Sequence, residues 1–213
     1  MPEACAPRSG WTGLLLAGGR SARMGTDKGS LPHHPGSRRD LFTTAVELLQ
    51  ECCAEIKILG GARGLPSGPH DLEVVPDSVP FAGPFHALLE AQSAWSSPWA
   101  LILPLDMPAL HAAFLQHGQE RAEQGLATGA TGVHAVDQAR RGCFPVWLHR
   151  DAHPALRSFQ EDGGRSLFAA LQAARVQAWQ SESSSAAPGG SPFRNLNTPE
   201  DLQAWHHSLN DQA

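Results

Sequence analysis

The sequence predicts one α/β domain with a mostly parallel sheet sandwiched in three layers, and three observations lead there. Short apolar runs of strand length alternate with amphipathic segments of helical length, which is the pattern of βαβ units. Residues 99–104, Trp-Ala-Leu-Ile-Leu-Pro, are apolar throughout, as a central strand covered on both faces must be. The first apolar run, residues 12–16, feeds Gly18 and Gly19, a turn in which the backbone can approach a ligand that a Cβ would exclude.

Taken in order, residues 1–10 read as a flexible tail and 11–213 as a single domain. After the glycine turn, residues 30–39 are punctuated by proline and glycine and should form an exposed loop. Asp40 is placed to cap a helix running to about Cys53, because Leu41, Ala45, Leu48 and Cys52 recur at helical spacing. Strands are expected at 55–59, closed by Gly60-Gly61, and at 72–75, ended by Pro76-Asp77. Gly83-Pro84 opens a helix to about Ser93, and another helix follows the 99–104 strand from about Ala109 to Gln124.

The second half is less regular. Residues 127–136 and 142–148 read as strands with antiparallel pairing, 151–160 and 166–174 as helices, and 176–179 as a further strand. Residues 181–192 are rich in Ser, Ala, Pro and Gly and are expected to be a mobile loop. Thr198 caps a last helix, with Pro199 at its first position and Asp201 completing the capping pattern.

Composition narrows the function. A chain of 213 residues, 41% hydrophobic and 17% charged, is long enough for a sizeable core. Its formal net charge of −5 disfavours a nucleic-acid polymer as partner, since that needs a basic face. No apolar run approaches the ~20 residues of a membrane span, and residues 1–8 lack a signal-peptide core, so a cytoplasmic protein is expected. Cys5, Cys52, Cys53 and Cys143 show no Cys-x-x-Cys spacing, which fits reduced thiols in that compartment.

Against that acidic background, Arg20, Arg23 and Lys28 stand out directly after the glycine turn. Backbone N–H groups followed by cations suit a polyphosphate. The loop is neither a P-loop, since Gly25 is followed by Thr26-Asp27 and not by Lys-Ser/Thr, nor a Gly-x-Gly-x-x-Gly dinucleotide turn, since its glycines are adjacent.

Ligands of parallel sheets bind beyond the carboxyl ends of the strands, which is where Asp77 and Asp106 fall. Asp106, directly after an apolar strand, would offer oxygen to magnesium that also contacts substrate phosphates, or it would cap the following helix. Asp77 is either a turn residue or a nucleotide contact. His33-His34 lacks companion ligands and is not expected to hold a metal.

Leu16-Ala-Gly-Gly-Arg-Ser-Ala-Arg-Met-Gly-Thr-Asp-Lys28 resembles the signature of the molybdenum cofactor guanylyltransferases. Leu103-Pro-Leu-Asp106-Met-Pro, Asp77 with Gly83-Pro84, and Asn195-Leu-Asn197-Thr-Pro-Glu resemble further elements of that family in the same order. Gly142-Cys-Phe-Pro-Val and Gly163-Gly-Arg-Ser resemble its acceptor half more loosely.

The resemblance implies a Rossmann-like sheet of the nucleotide-diphospho-sugar transferase type. It implies transfer of GMP from GTP to the terminal phosphate of molybdenum-molybdopterin, with Mg²⁺ as cofactor and release of pyrophosphate. By the same resemblance Lys28, Arg23 and Asp106 are catalytic, and Asp106 is the metal ligand. Leu16, Ala17, Gly18, Gly19, Lys28, Asp77 and Asp106 bind the nucleotide, and Asn195 and Asn197 serve the acceptor side. Enzymes or chaperones that accept the finished cofactor are implied as protein partners.

The chain departs from the family pattern at Phe85-His86-Ala87, where Leu-Ala-Gly is usual, and at Gly60-Gly61-Ala62-Arg63, where an asparagine near the base is common. Two alternatives follow: a related transferase using CTP or a sugar phosphate acceptor, and a non-catalytic nucleotide-binding protein that delivers the cofactor.

Overall fold

The computed structural model describes residues 8–17, 27–60, 72–79, 82–142, 144–180 and 191–210. Seven strands form one sheet: β1 (Arg8–Leu16), β2 (Cys53–Leu59), β3 (Glu73–Val75), β4 (Trp99–Pro104), β5 (Gly132–Val136), β6 (Val146–His149) and β7 (Val176–Gln180). Their order is β3-β2-β1-β4-β6-β5-β7. β6 pairs antiparallel with both β4 and β5, and every other pair is parallel. The mostly parallel α/β sheet expected from the alternation of strands and helices is therefore present.

Among the described residues six helices cover it: α1 (Leu41–Gln50), α2 (Pro84–Ala91), α3 (Ala112–Leu126), α4 (His153–Glu161), α5 (Leu167–Ala173) and α6 (Pro199–Asn210). Alternation along the strands sorts side chains between two faces. Trp11 and Leu15 of β1 and Leu101 and Leu103 of β4 pack against Phe42, Val46 and Leu49 of α1 and Phe114 and Leu115 of α3. Leu14, Ala100 and Ile102 point the other way, onto Phe85 and Leu88 of α2, Leu156 of α4 and Leu171 of α5. A smaller cluster of Leu41, Ala109, Leu196 and Trp205 seats α6 beside the start of α1.

Several boundaries differ from expectation, most of them where other contacts override a local pattern. The strand expected at 127–136 is only Gly132–Val136, because Thr128 and Gly129 N–H donate back to Gly125 O and Leu126 O in a turn after α3. The one expected at 142–148 is Val146–His149. β1 begins at Arg8, so residues 8–10, read as tail, are strand; Arg8 N–H donates to Cys52 O at 3.3 Å, and its guanidinium meets Glu120 and Glu123 of α3. α1 stops at Gln50 although helical periodicity continues to Cys53, because Cys53 is drawn into β2 opposite Arg8. α2 ends at Ala91 rather than near Ser93. α3 starts at Ala112 rather than Ala109, because residues 107–110 form a turn and the His111 ring accepts the cap hydrogen bond from Phe114 N. Residues 1–7 and 181–190 lie outside the described residues, as do Cys5 and Cys143.

Close packing gives one expectation. Gly118 lies where α3 passes the Trp147 indole, which is fully buried and donates from Nε1 to Leu115 O at 3.0 Å. A Cβ at Gly118 would overlap that ring. Alanine gains about 1 kcal/mol in helix propensity, but overpacking costs about 1–3 kcal/mol, and a ring fixed by its own hydrogen bond has no room to yield. Gly118→Ala should therefore lose about 1–2 kcal/mol by urea unfolding, and an unchanged midpoint would contradict this packing.

His153 gives another. Its ring stands edge-on to Trp95 at 4.5 Å between centroids, and burial, helped by Arg157 and Arg150, pushes its pKa down to about 4. The unfolded imidazole protonates near pH 6.5 and the folded one only near pH 4, so this contribution to stability is intact above pH 6.5 and lost as pH falls between those values. The loss should be about 1–2 kcal/mol, discounted because the ring stays partly hydrated. His153→Gln should flatten that acid limb in unfolding measured from pH 7 to pH 4.5, and an unchanged slope would contradict the assignment.

Candidate active site

β3, β2, β1 and β4 are mutually parallel, so their carboxyl ends share one edge of the sheet. That edge is stitched together locally: Leu105 N–H donates to Leu16 O at 3.3 Å, and Ala17 N–H to Leu59 O at 3.1 Å. Leu16 and Ala17 therefore sit between the ends of β2 and β4. The loop that follows Ala17, with Gly18, Gly19, Arg20 and Arg23, lies outside the described residues.

The chain is described again from Asp27. The Asp27 carboxylate accepts from Gly29 N–H at 3.1 Å and so holds Lys28–Ser30 in a single 3-10 turn. That turn aims Lys28 across the edge. Its ammonium meets Asp106 Oδ2 at 3.0 Å and Asn197 Oδ1 at 3.0 Å. Asp106 and Asn197 lie 78 and 169 positions away in sequence, so only the fold unites the three. The Lys28–Asp106 pair is partly shielded, with 18% and 25% of the two side chains exposed.

Asp106 is not a helix cap. It lies in the turn after β4, and α3 begins only at Ala112 with His111 as its cap. The main chain of Asp106 instead accepts from Leu196 N–H at 2.9 Å, which brings the 195–197 segment to the site. Leu196 is fully buried, whereas Asn195 and Asn197 are exposed on either side of it.

The segment between Lys28 and α1 is tied to α6. Trp205 Nε1 donates to His33 O at 2.7 Å, and His206 Nε2 lies 3.1 Å from Pro32 O. The His33 ring nitrogen lies 3.2 Å from Pro108 O, and burial lowers its pKa. His33 is thus used to fasten the loop. Among the described residues, no group of three or more His, Cys, Asp or Glu side chains is placed to hold a metal ion.

Asp77 follows β3 and belongs to a different cluster on the same edge. Ser78 N–H donates to the Glu90 carboxylate at 2.9 and 3.2 Å, and Glu90 Oε1 pairs with His86 Nε2 at 3.3 Å. Burial and the nearby Glu90 charge raise the Asp77 pKa, and His86 opposes them. Glu90 was not singled out from the sequence, and His86 was noted there only as a departure from pattern. Their spacing of four on α2 is the signal that pairs them.

A parallel edge that brings a lysine, a carboxylate and an amide together beyond its first strand carries phosphate-compatible chemistry, of the kind a nucleotidyltransferase requires. Solved structures with the same fold include molybdopterin-guanine dinucleotide biosynthesis protein A from Archaeoglobus fulgidus, at TM-score 0.68 and 16% identity, covering 94% of this chain and 99% of that one. The 2-C-methyl-D-erythritol 4-phosphate cytidylyltransferase of Thermus thermophilus has TM-score 0.68 and 13% identity, covering 92% and 98%.

The chain belongs to the family of the MobA-like NTP transferase domain, whose model matches residues 13–176. Its relatives include molybdenum cofactor guanylyltransferases from Xanthomonas euvesicatoria, 38% identical over 208 residues that cover 94% of this chain and 97% of the relative, and from Rhizobium meliloti, 31% identical over 212 residues that cover 93% of each. Among the described residues, no helix is long and apolar enough to cross a membrane.

Proposed function

We propose that this protein transfers GMP from GTP to the terminal phosphate of molybdenum-molybdopterin. The observation that carries the reading at residue level is the Lys28 ammonium held between Asp106 and Asn197 at 3.0 Å from each. An acceptor phosphate oxygen attacks the α-phosphorus of GTP as the bond to the bridging α–β oxygen breaks. The new phosphoanhydride is the dinucleotide, and the departing group is pyrophosphate. The acceptor phosphate, with a second pKa near 6, is already ionised at neutral pH, so no general base is required.

Such a transfer needs positioning and stabilisation of charge on oxygen more than covalent help from the protein. Lys28 neutralises triphosphate oxygens and, fixed by two partners, does so without reorganising. The Leu16–Ala17 backbone, continued by Gly18 and Gly19, cradles the nucleotide, and Arg23 adds charge to the same loop. Asp77 serves the nucleotide side, while Asn195 and Asn197 serve the acceptor side.

Asp106 suits magnesium by the chemistry of its donors: one hard carboxylate at a half-open edge, with phosphate oxygens and waters completing the shell, is how that ion is usually held. When bound there, the ion would neutralise phosphate charge and polarise the scissile linkage.

Calorimetric titration with GTP, CTP and ATP, each with Mg²⁺, tests the nucleotide. Clear preference for GTP is expected. Tighter CTP binding would overturn guanylyl transfer while sparing the fold and the Lys28 assignment.

A further inference from the structure

The capping carboxylate of α6 reaches beyond its own helix. Asp201 and Thr198 form a reciprocal cap: Asp201 N–H donates to Thr198 Oγ1 at 3.2 Å, and Thr198 N–H donates to Asp201 Oδ2 at 2.9 Å. A cap of this kind would be complete there. The same Oδ2, however, also accepts from Asn197 N–H at 2.8 Å. Asn197 in turn accepts from the Lys28 ammonium through its side-chain oxygen. One residue earlier, Leu196 N–H is bound to the main chain of Asp106. The strand of chain carrying Asn197 is thus clamped at both sides, by Asp106 on one and by Asp201 on the other.

We propose that Asp201 is a positioning residue for nucleotidyl transfer: by fixing the Asn197 main chain, it sets the amide that holds Lys28 beside Asp106. This rests on the reading of Lys28 as a triphosphate contact. An ammonium has three donors, and among the described residues two are directed to Asp106 and Asn197. The remaining donor direction is then set by the other two, which is how a flexible lysine becomes a fixed electrostatic group. Removing the carboxylate would let the Asn197 amide drift and restore Lys28 its rotamer freedom. A helix cap alone would have no such reach.

The test compares Asp201→Ala with Thr198→Val, which breaks the cap from its other half and leaves the Asn197 contact in place. Pyrophosphate release is measured with GTP, Mg²⁺ and molybdenum-molybdopterin, and thermal melts are run alongside. Asp201→Ala should lower kcat about 10-fold or more with a smaller change in KM, while Thr198→Val lowers Tm comparably yet keeps kcat within about 2-fold. In an Asn197→Ala background, Asp201→Ala should cost nothing further, because the relay is already cut. Equal kcat losses from the two single variants, or additive losses with Asn197→Ala, would overturn the proposal.

Should Asp201→Ala not fold, Asp201→Asn carries the test, since it keeps an acceptor but loses the charge that strengthens both hydrogen bonds. It should lower kcat about 3-fold in the parent and leave the Asn197→Ala protein unchanged; no effect in the parent, or an equal effect in both, overturns the relay. A parent protein without transfer activity would instead count against the function itself. Loss of turnover in Lys28→Ala alongside an additive Asp201 cycle would remove only the present inference.

Discussion

Replacing Asp106 with alanine should lower turnover about 10²–10³-fold, the loss seen when one preorganised electrostatic group is removed from a transition state. The fold should survive. Asp106 lies in a turn beyond β4, its side chain is a quarter exposed, and its partner Lys28 can rehydrate. The contact most important to the local main chain, Leu196 N–H to Asp106 O, does not involve the side chain. Stability should therefore change by no more than about 1 kcal/mol, as for other partly exposed ion pairs. Turnover within a few-fold of the parent would refute a metal-holding and charge-organising role. A large fall in Tm would mean that Asp106 is chiefly structural.

Lys28→Ala should weaken GTP binding about 10-fold or more, because a charge-assisted hydrogen bond to phosphate contributes about 1.5–3 kcal/mol. The effect should exceed that on GMP, which lacks the β- and γ-phosphates. Lys28→Arg keeps the charge but replaces a compact ammonium by a planar fork, and the 3.0 Å contacts to both Asp106 and Asn197 leave little space for it. It should recover binding only in part. Equal GTP affinity in the parent and the alanine variant would contradict the placement of Lys28 on the triphosphate.

The two variants separate two roles that share a hydrogen bond. Loss of Lys28 should lower both nucleotide affinity and kcat, whereas loss of Asp106 should appear mainly in kcat. An Asp106 variant that loses nucleotide affinity and keeps kcat would instead give Asp106 the anchoring role.

Much of this arrangement was legible in the sequence because the strands are marked by composition. Residues 99–104 could hardly form anything except a covered strand, and the position of Asp106 after them placed it on the ligand-binding edge. Asp40 and Thr198 were legible as caps because Asp and Thr have side-chain acceptors suited to free N–H groups, and in the structure Thr43 N–H donates to Asp40 Oδ1 at 2.7 Å. The order of motifs linked Lys28, Asp106 and Asn197 by resemblance, though not the direct contact among them.

What was not legible depends on partners remote in sequence. Arg8 reads as a tail residue until Glu120 and Glu123 are brought across from α3. Cys53 continues a helical period, yet pairing with β1 makes it strand. His111 caps α3 although histidine is not a usual cap, so the helix start was placed too early. The reach of Asp201 from its own helix to Asn197 needs a main-chain path that no spacing rule encodes. In the Asp77–Ser78–His86–Glu90 cluster, Asp77 was legible by resemblance, whereas His86 stands where the chain departs from the family pattern and Glu90 reaches Ser78 N–H only through the fold.

The most direct measurement follows both ends of the nucleotide during one reaction. The protein is incubated with Mg²⁺, molybdenum-molybdopterin and GTP labelled at the α-phosphate in one sample and at the γ-phosphate in another. The α-label should move into a guanine dinucleotide, and the γ-label should appear as pyrophosphate in equal amount. Retention of the α-label in GTP, its release as free GMP, or appearance of the γ-label as orthophosphate would contradict guanylyl transfer by this site.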